Sequence, residues 1–387
     1  MLITRLKLKN WRNFRDVDVA LGPRGYVIGA NASGKSNLLD VFRFLRTIAQ
    51  SEGGGLQKAL KDRGGLSKLR SLHARKDPEV RIDVEVSESV ADATPKWRYI
   101  LAFRSGGKRS HSVLIEQEAV FRDGIELFSR PVKLDRDDEV RLTQTYLEQI
   151  NSNADFRELA EFLAATTYMH LVPQLLKHGD EISGRMIEND PFGQGLLQRI
   201  AKANEKTQKA RLSRIQKALE VAVPQFSELR FEQDQVTGVP HLKANFKHWR
   251  VHGSWQQEDQ FSDGTLRLIG FLWALQEGDG LLLLEEPELS LNDAITKHIP
   301  LMIDRVLRRR KKGGPIRQVI STTHSETLIS SVPDPQSILL LEPGENGTTV
   351  RTADDQEIEA MEHGLNPAEV LLPKTWPENI EQMGLFS

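Results

Sequence analysis

The chain has 387 residues, of which 39% are hydrophobic and 27% charged, with a formal net charge of −2 and no cysteine. Such a length supports one large domain or two ordinary ones, and the apolar fraction supports a sizeable core. The near-zero charge confines any nucleic-acid surface to a local patch, and the lack of cysteine excludes disulfides, thiolate metal sites and a cysteine nucleophile.

The opening "MLITRLKLKNWRNF" is charged and alternating, without the apolar stretch of a signal peptide. The longest near-apolar runs, "LIGFLWAL" and "GLLLLEEP", are too short to span a bilayer, so a cytoplasmic chain without membrane contact is expected. Alternation from Leu2 to Leu8 and from Val17 to Leu21 predicts half-buried strands. "GYVIG" is a short apolar run that ends in "GANASGKSN", residues 29–37, after which Leu38, Leu39, Phe42, Leu45 and Ile48 fall at helical spacing. The local order is therefore strand, loop, helix. A basic, glycine-punctuated stretch follows. Then "VRIDVEV", "RYILAF", "SVLIEQEAVF" and "IELFSRPV", separated by turn residues, predict an antiparallel meander. "TTYMHLV" reads as a strand stopped at Pro173.

From residue 175 to 225 the chain turns polar and helical, with Leu212, Ile215, Leu219 and Val223 on one stripe. Two helices of about 15–20 residues would each reach roughly 25–30 Å. Strands resume in "LRFEQ", "PHLKANF" and "HWRVHGSW". The last third reads as helix "TLRLIGFLWALQ", strand "LLLLEE", helix "LNDAITKHIPLMIDRVLRRR", strand "RQVIST", strand "SILLLE" and the turn "PGENG". Strands alternating with helices predict a parallel α/β core.

Four stretches carry chemistry. From Gly29 to Ser36 the chain matches G-x-x-x-x-G-K-[ST], a loop whose successive N–H groups form an anion nest at a helix N-terminus. Lys35 would reach the β- and γ-phosphates, and the Ser36 hydroxyl would sit on Mg²⁺. Glu285 and Glu286 emerge at the end of the "LLLL" strand, the end that faces the ligand crevice in an open α/β sheet. One carboxylate there can hold Mg²⁺ through water, and the second can orient or deprotonate the attacking water. The plain alternative is an acidic helix start. "FSDGTLR", 261–267, is a Ser-x-Gly turn opening an apolar helix, either an outward-aimed set of N–H groups or a simple cap at Ser262 or Asp263. "STTHS" places His324 just past a buried strand, within reach of a γ-phosphate or in a structural role.

The order of these four stretches resembles that of the ABC-class ATPases, and among them the RecF/SMC-like heads with an AAA-type ATP-binding domain, OLD-like but without a TOPRIM nuclease. The stretches correspond there to Walker A, signature, Walker B and His switch. "LKLKNWRNF" is similar to that group's first strand, which carries an Asn-Phe. The resemblance implies an α/β P-loop NTPase of ABC/SMC-head type, a mixed sheet with an antiparallel β subdomain and a short helical insertion. It divides the chain into an ATPase lobe at 1–174, the insertion at 175–225, a second ATPase lobe at 226–360 and a C-terminal tail at 361–387. It assigns Gly29, Asn31, Gly34, Lys35, Ser36 and Asn37 to ATP, and Ser36, Glu285 and Gln174 to Mg²⁺. Glu286 is then the catalytic base and His324 the γ-phosphate sensor. Ser262 and Gly264 would contact the γ-phosphate of the opposite subunit, and Asn292 stands where the D-loop acid usually sits. Gln174 is the candidate Q-loop residue, or else a surface glutamine after a proline. The chain departs from the common pattern at Asp263 (usually Gly), at Thr265 (usually Gln or Glu) and at Glu285 (usually Asp).

The implied function is a Mg²⁺-dependent ATPase that forms a homodimer, or higher oligomer, around two ATP molecules and gates a DNA-linked process. Bacterial anti-phage defence and DNA repair are the expected settings. The insertion is too short to form an arm that encircles DNA. The residues after His324 are too few for the nuclease that OLD-like relatives append, so a separate effector protein is expected. Nucleic acid is a candidate partner through "RVLRRRKK" (305–312), "KDRGGLSKLR" and "RSGGKRSH", which otherwise read as solvated helix ends and turns. The alternatives are the nucleotide-binding subunit of an ABC transporter, disfavoured by "SDGT" and the first strand, and a slow nucleotide-gated sensor.

Overall fold

A computed structural model describes residues 1–74, 76–107, 112–178, 190, 192–247, 254–308 and 317–376. The chain forms two units: Met1–Thr167 with Asp279–Leu283 and Leu307–Ser387, and Tyr168–Gly278 with Leu284–Val306.

The first unit opens with β1 (Leu2–Trp11) and β2 (Phe14–Ala20), a hairpin whose alternating residues Leu6, Leu8, Val17 and Val19 are buried. β3 (Arg24–Gly29) follows. Then come β4 (Val80–Ser87), β5 (Trp97–Ser105), β6 (Val113–Arg122) and β7 (Ile125–Arg130), the expected meander. The hairpin joins it, giving an antiparallel sheet in the order β2-β1-β4-β5-β6-β7. The helix Lys35–Ala49 buries Leu38, Leu39, Phe42, Leu45 and Ile48, as the spacing predicts. Its Phe44 ring meets Trp11 of β1 edge-on at 5.1 Å and Phe103 of β5 at 5.7 Å. These rings fix the helix against the antiparallel sheet.

The second sheet also takes in β8 (Thr167–Met169), β12 (Leu282–Glu285), β13 (Val319–Thr322), β14 (Ile338–Glu342) and β15 (Thr349–Arg351), in the order β15-β14-β3-β13-β12-β8. β3 is central and runs parallel to both β13 and β14, while β15 returns antiparallel. This is the mixed sheet expected beside an antiparallel one. β8 and β12 begin in the first unit and continue into the second.

The second unit centres on the helix Asp263–Gln276, which is apolar almost all round and buries Leu266, Leu268, Ile269, Phe271 and Trp273. Arg211 of the helix Glu205–Ala222 lies over the Trp273 ring at 5.1 Å. β9 (Phe226–Gln233), β10 (Pro240–Phe246) and β11 (Ser254–Gln257) form a three-stranded antiparallel sheet in the order β11-β10-β9. Two sequence expectations need correction. The stretch 175–225 holds one helix of 18 residues, Glu205–Ala222, and a shorter one, Leu196–Lys202, while residues 179–189 and 191 lie outside the described residues. The break comes at Asn204, whose side chain caps the longer helix by accepting from Thr207 N–H. The helix expected from Leu291 divides into Asp293–Thr296 and Ile299–Arg308. Pro300 brings no N–H of its own and is tolerated only in a first turn.

Of the basic stretches, residues 108–111 and 309–312 lie outside the described residues. In "KDRGGLSKLR", Arg63 is committed internally. It donates to both oxygens of Asp40, at 2.8 and 2.9 Å, while Arg12 adds a contact at 2.7 Å. Burial would raise the Asp40 carboxyl, but the guanidiniums of Arg63 and Arg12 outweigh it and hold the group below its ordinary value.

One buried side chain joins the two sheets of the first unit. Gln318, just before β13, accepts from Ile3 N–H at 2.9 Å and donates to the carbonyls of Ile3 and Gly22, both at 2.7 Å. Leucine would fill the space and leave these three groups unpaired. Gln318→Leu should therefore cost about 3 kcal/mol or more, read as a lower midpoint in thermal and urea unfolding. An unchanged midpoint would remove this residue from the account of the fold.

Candidate functional site

The phosphate-type loop begins where central strand β3 ends, and its backbone explains its residues. Ala32 and Gly34 are left-handed, at φ +62° and +104°. A Cβ on Gly34 would stand 2.2 Å from the Asn13 amide, and one on Gly29 would stand 2.9 Å from the Leu341 carbonyl. Glycine is therefore required at both ends, for space at Gly29 and for space and backbone conformation at Gly34. Lys35 is buried, and its ammonium donates to the carbonyls of Gly29 at 2.9 Å and Ala30 at 3.0 Å. Ser36 and Asn31 are exposed at the loop surface.

Asn13, in the turn between β1 and β2, holds the loop from behind. Its Nδ2 donates to the Ser33 carbonyl at 2.6 Å and to Thr348 Oγ1 at 2.8 Å, and its Oδ1 accepts from Asn37 Nδ2 at 2.8 Å. Its carbonyl accepts from Thr348 N–H at 2.9 Å. Trp11 Nε1 donates to the Asn37 carbonyl at 3.0 Å. The Asn-Phe that carries part of the resemblance thus has a physical task, and Asn37 is tied to Asn13.

Gly29, Ala30 and Asn31 line a cavity of about 600 Å³ together with Thr323, His324 and Glu326. His324 and the start of the loop are therefore brought to one space, as the sequence order suggests. The other wall is Ala368, Glu369, Leu372, Pro373, Thr375 and Trp376, from the stretch read as a tail. Sequence reasoning missed this wall. Its signal was available in Asn366-Pro367 followed by Glu369, which forms a capping box and opens a short helix.

The second unit gathers the other candidates. Glu286, at the end of β12, has φ +45°, a costly conformation for a non-glycine residue and one often found at functional sites. Glu285 accepts a short hydrogen bond from the Tyr168 hydroxyl. Ser262 caps the helix Asp263–Gln276 by accepting from Thr265 N–H at 3.2 Å. A Cβ on Gly264 would lie 2.5 Å from the Ser290 carbonyl, so close backbone approach demands this glycine. Asn292 caps the next helix by accepting from Ile295 N–H at 3.0 Å. Gln174 Nε2 donates to Asp263 Oδ2 at 2.6 Å. Because a carboxylate only accepts, this contact fixes the amide's orientation and leaves Oε1, the atom that binds metals, without a hydrogen bond among the described residues. Arg267, half-buried one turn along, was not foreseen. Desolvation lowers its pKa, against the pull of Asp263, Glu286 and Glu288.

The family described as "AAA domain, putative AbiEii toxin, Type IV TA system" matches residues 26–330, more than half of the chain, and the chain belongs to it. The DNA replication and repair protein RecF of Brucella abortus (strain 2308) is 32% identical over 133 residues, 33% of this chain and 30% of that protein. RecF of Clavibacter michiganensis subsp. michiganensis (strain NCPPB 382) is 29% identical over 93 residues, 24% of this chain and 23% of that protein. The match thus spans a third or less of these relatives. Among solved structures, an Smc head bound to the C-winged helix domain of ScpA superposes with a TM-score of 0.55 at 13% identity, covering 92% of this chain and all of that one. The Smc head of Pyrococcus furiosus, with an extended coiled coil and bound to the ScpA C-terminal domain, gives 0.50 at 12% identity, covering 93% and 98%. The fold is that of an Smc head, which with the family match and the RecF relatives upholds the RecF/SMC-like resemblance.

The Gly264 contact is directly testable. Gly264→Ala forces a methyl group onto a main-chain carbonyl that cannot swing aside, so stability should fall by about 1–3 kcal/mol, measured by urea unfolding. Full stability would show that the Ser290 carbonyl gives way and that the glycine serves another purpose.

Proposed function

We propose that this member of the AAA domain, putative AbiEii toxin, Type IV TA system family binds ATP with Mg²⁺ on the Gly29–Asn37 loop and hydrolyses it. Two chains would pair around two ATP molecules to gate a DNA-linked process that a separate effector carries out. The observation that carries the reading is the loop itself, with glycine required at both ends, its carbonyls gathered by Lys35 and its opening in one cavity with His324. A triphosphate fits the chemistry of that donor set, since backbone N–H groups and an ammonium meet its charge. Ser36, Glu285 and Gln174 are the residues that would hold Mg²⁺, an ion that supplies neutralisation of charge on the phosphates.

In this reading Lys35 moves from its own loop carbonyls to the phosphate oxygens. The Glu286 carboxylate takes a proton from water as the water oxygen bonds to the γ-phosphorus and the bond to ADP breaks. His324 holds a γ-phosphate oxygen. Ser262 and Gly264, at a helix N-terminus, meet the γ-phosphate carried by a second chain. The DNA-linked role is supported by RecF, whose name places it in replication and repair, and a defence role by the toxin–antitoxin description of the family. A separate protein partner is supported by Smc heads solved with ScpA bound. The same similarities favour this reading over a transporter subunit. Among the described residues no helix is long and apolar enough to cross a membrane.

Glu286→Gln keeps the shape but cannot take the proton. Hydrolysis should fall by about 10²- to 10⁴-fold while ATP still binds. Light scattering should then reveal ATP-dependent, ADP-independent assembly of this variant, whereas Lys35→Ala should bind no ATP and not assemble. Wild-type turnover in Glu286→Gln would end the catalytic assignment, and tight ATP binding by Lys35→Ala would end the assignment of the loop.

A further inference from the structure

The turn that opens the helix Asp263–Gln276 carries a problem of charge. Its N-terminus offers N–H groups to an anion, yet its first residue is Asp263, where the common pattern has glycine. A carboxylate at that position suits the helix dipole. It also repels any second anion brought to the same N–H groups.

The structure places a cation on this carboxylate. Lys177 Nζ lies 2.9 Å from Asp263 Oδ1, and the Lys177 side chain is only 14% exposed. It is therefore held in place rather than free in solvent. Gln174 Nε2 takes the other oxygen at 2.6 Å, so both donors come from the one helical turn Pro173–Lys177. The hydrogen bond from Lys177, aided by its charge, holds the Asp263 carboxyl below its ordinary value, so it stands as a carboxylate at neutral pH. Arg267 also feels Asp263 but is not hydrogen-bonded to it.

We propose that Lys177 is a positioning residue of the Ser262–Gly264 turn. It cancels the Asp263 charge, so that the helix N-terminus accepts the γ-phosphate brought by a second chain. This rests on the ATP-sandwich reading above. It also assigns a reason to the Asp263 departure: the carboxylate is tolerated because it arrives with its own counter-ion, and it orients Gln174 in return. Nothing in this role requires Lys177 to touch the nucleotide bound by its own chain.

The test is a charge rescue in the full chain, made in the Glu286→Gln background with ATP and Mg²⁺. Adding Lys177→Ala should leave ATP binding to the single chain unchanged, measured with a fluorescent ATP analogue. It should weaken ATP-dependent assembly, measured by sedimentation, about tenfold or more, and most at low salt because the repulsion is screened. Asp263→Asn on top of Lys177→Ala should restore assembly, since the uncompensated charge is gone although the ion pair is still missing. A purely structural clamp predicts no such recovery. Assembly unaffected by Lys177→Ala, or a double variant no better than the single one, overturns the proposal. Failure of the Glu286→Gln parent to assemble with ATP overturns the sandwich reading, and this inference with it.

Discussion

A glycine loop with left-handed turns must be held from behind, and in this chain one half-buried side-chain amide does much of the holding. Asn13 bonds at once to the Ser33 carbonyl, to Asn37 at the start of the following helix and to Thr348 beside β15. The loop's internal bonds, from Lys35 to the Gly29 and Ala30 carbonyls, leave its far side to be held by other elements. Ala32 takes a left-handed conformation that a non-glycine residue populates poorly, and such a conformation persists only where the surroundings over-determine it. The β1–β2 hairpin therefore serves the loop as much as the sheet. Its turn supplies Asn13, and its Trp11 fixes both Phe44 and the Asn37 carbonyl.

The two units carry complementary chemistry. The first offers backbone donors, Lys35 and His324, all suited to an anion. The second offers carboxylates at the end of β12, an amide whose oxygen has no hydrogen bond among the described residues and a capped helix start. In both, the groups suited to phosphate are main-chain or cationic and are set by close packing, so their positions depend on glycines that admit no methyl group. In the second unit the charge of Asp263, at the helix start, is met by Lys177.

What the sequence made legible was local. The phosphate loop, the helix after it and the meander follow from spacing alone, because their causes lie within a few residues of one another. Long-range causes were not legible as physics. Asn13 stood out only through resemblance, since its partner Thr348 lies 335 residues away. Gly264 was singled out for phosphate contact, whereas its packing reason, the Ser290 carbonyl, needed the fold. Lys177 lies 86 residues from Asp263, and no periodicity relates them. Two misses were avoidable. Pro300 signals the divided helix, and Asn366-Pro367 with Glu369 signals that the stretch after residue 361 is built structure.

The central claim is that Asn13 sets the phosphate loop's competence from outside the motif. The direct measurement is ATP affinity of Asn13→Ala, by titration calorimetry, on protein whose far-UV circular dichroism matches the parent. Losing the brace leaves the Ser33 carbonyl and the Asn37 amide unsupported, so affinity should drop about tenfold to a hundredfold. Affinity equal to the parent would mean that the loop holds its own shape, and would contradict the account.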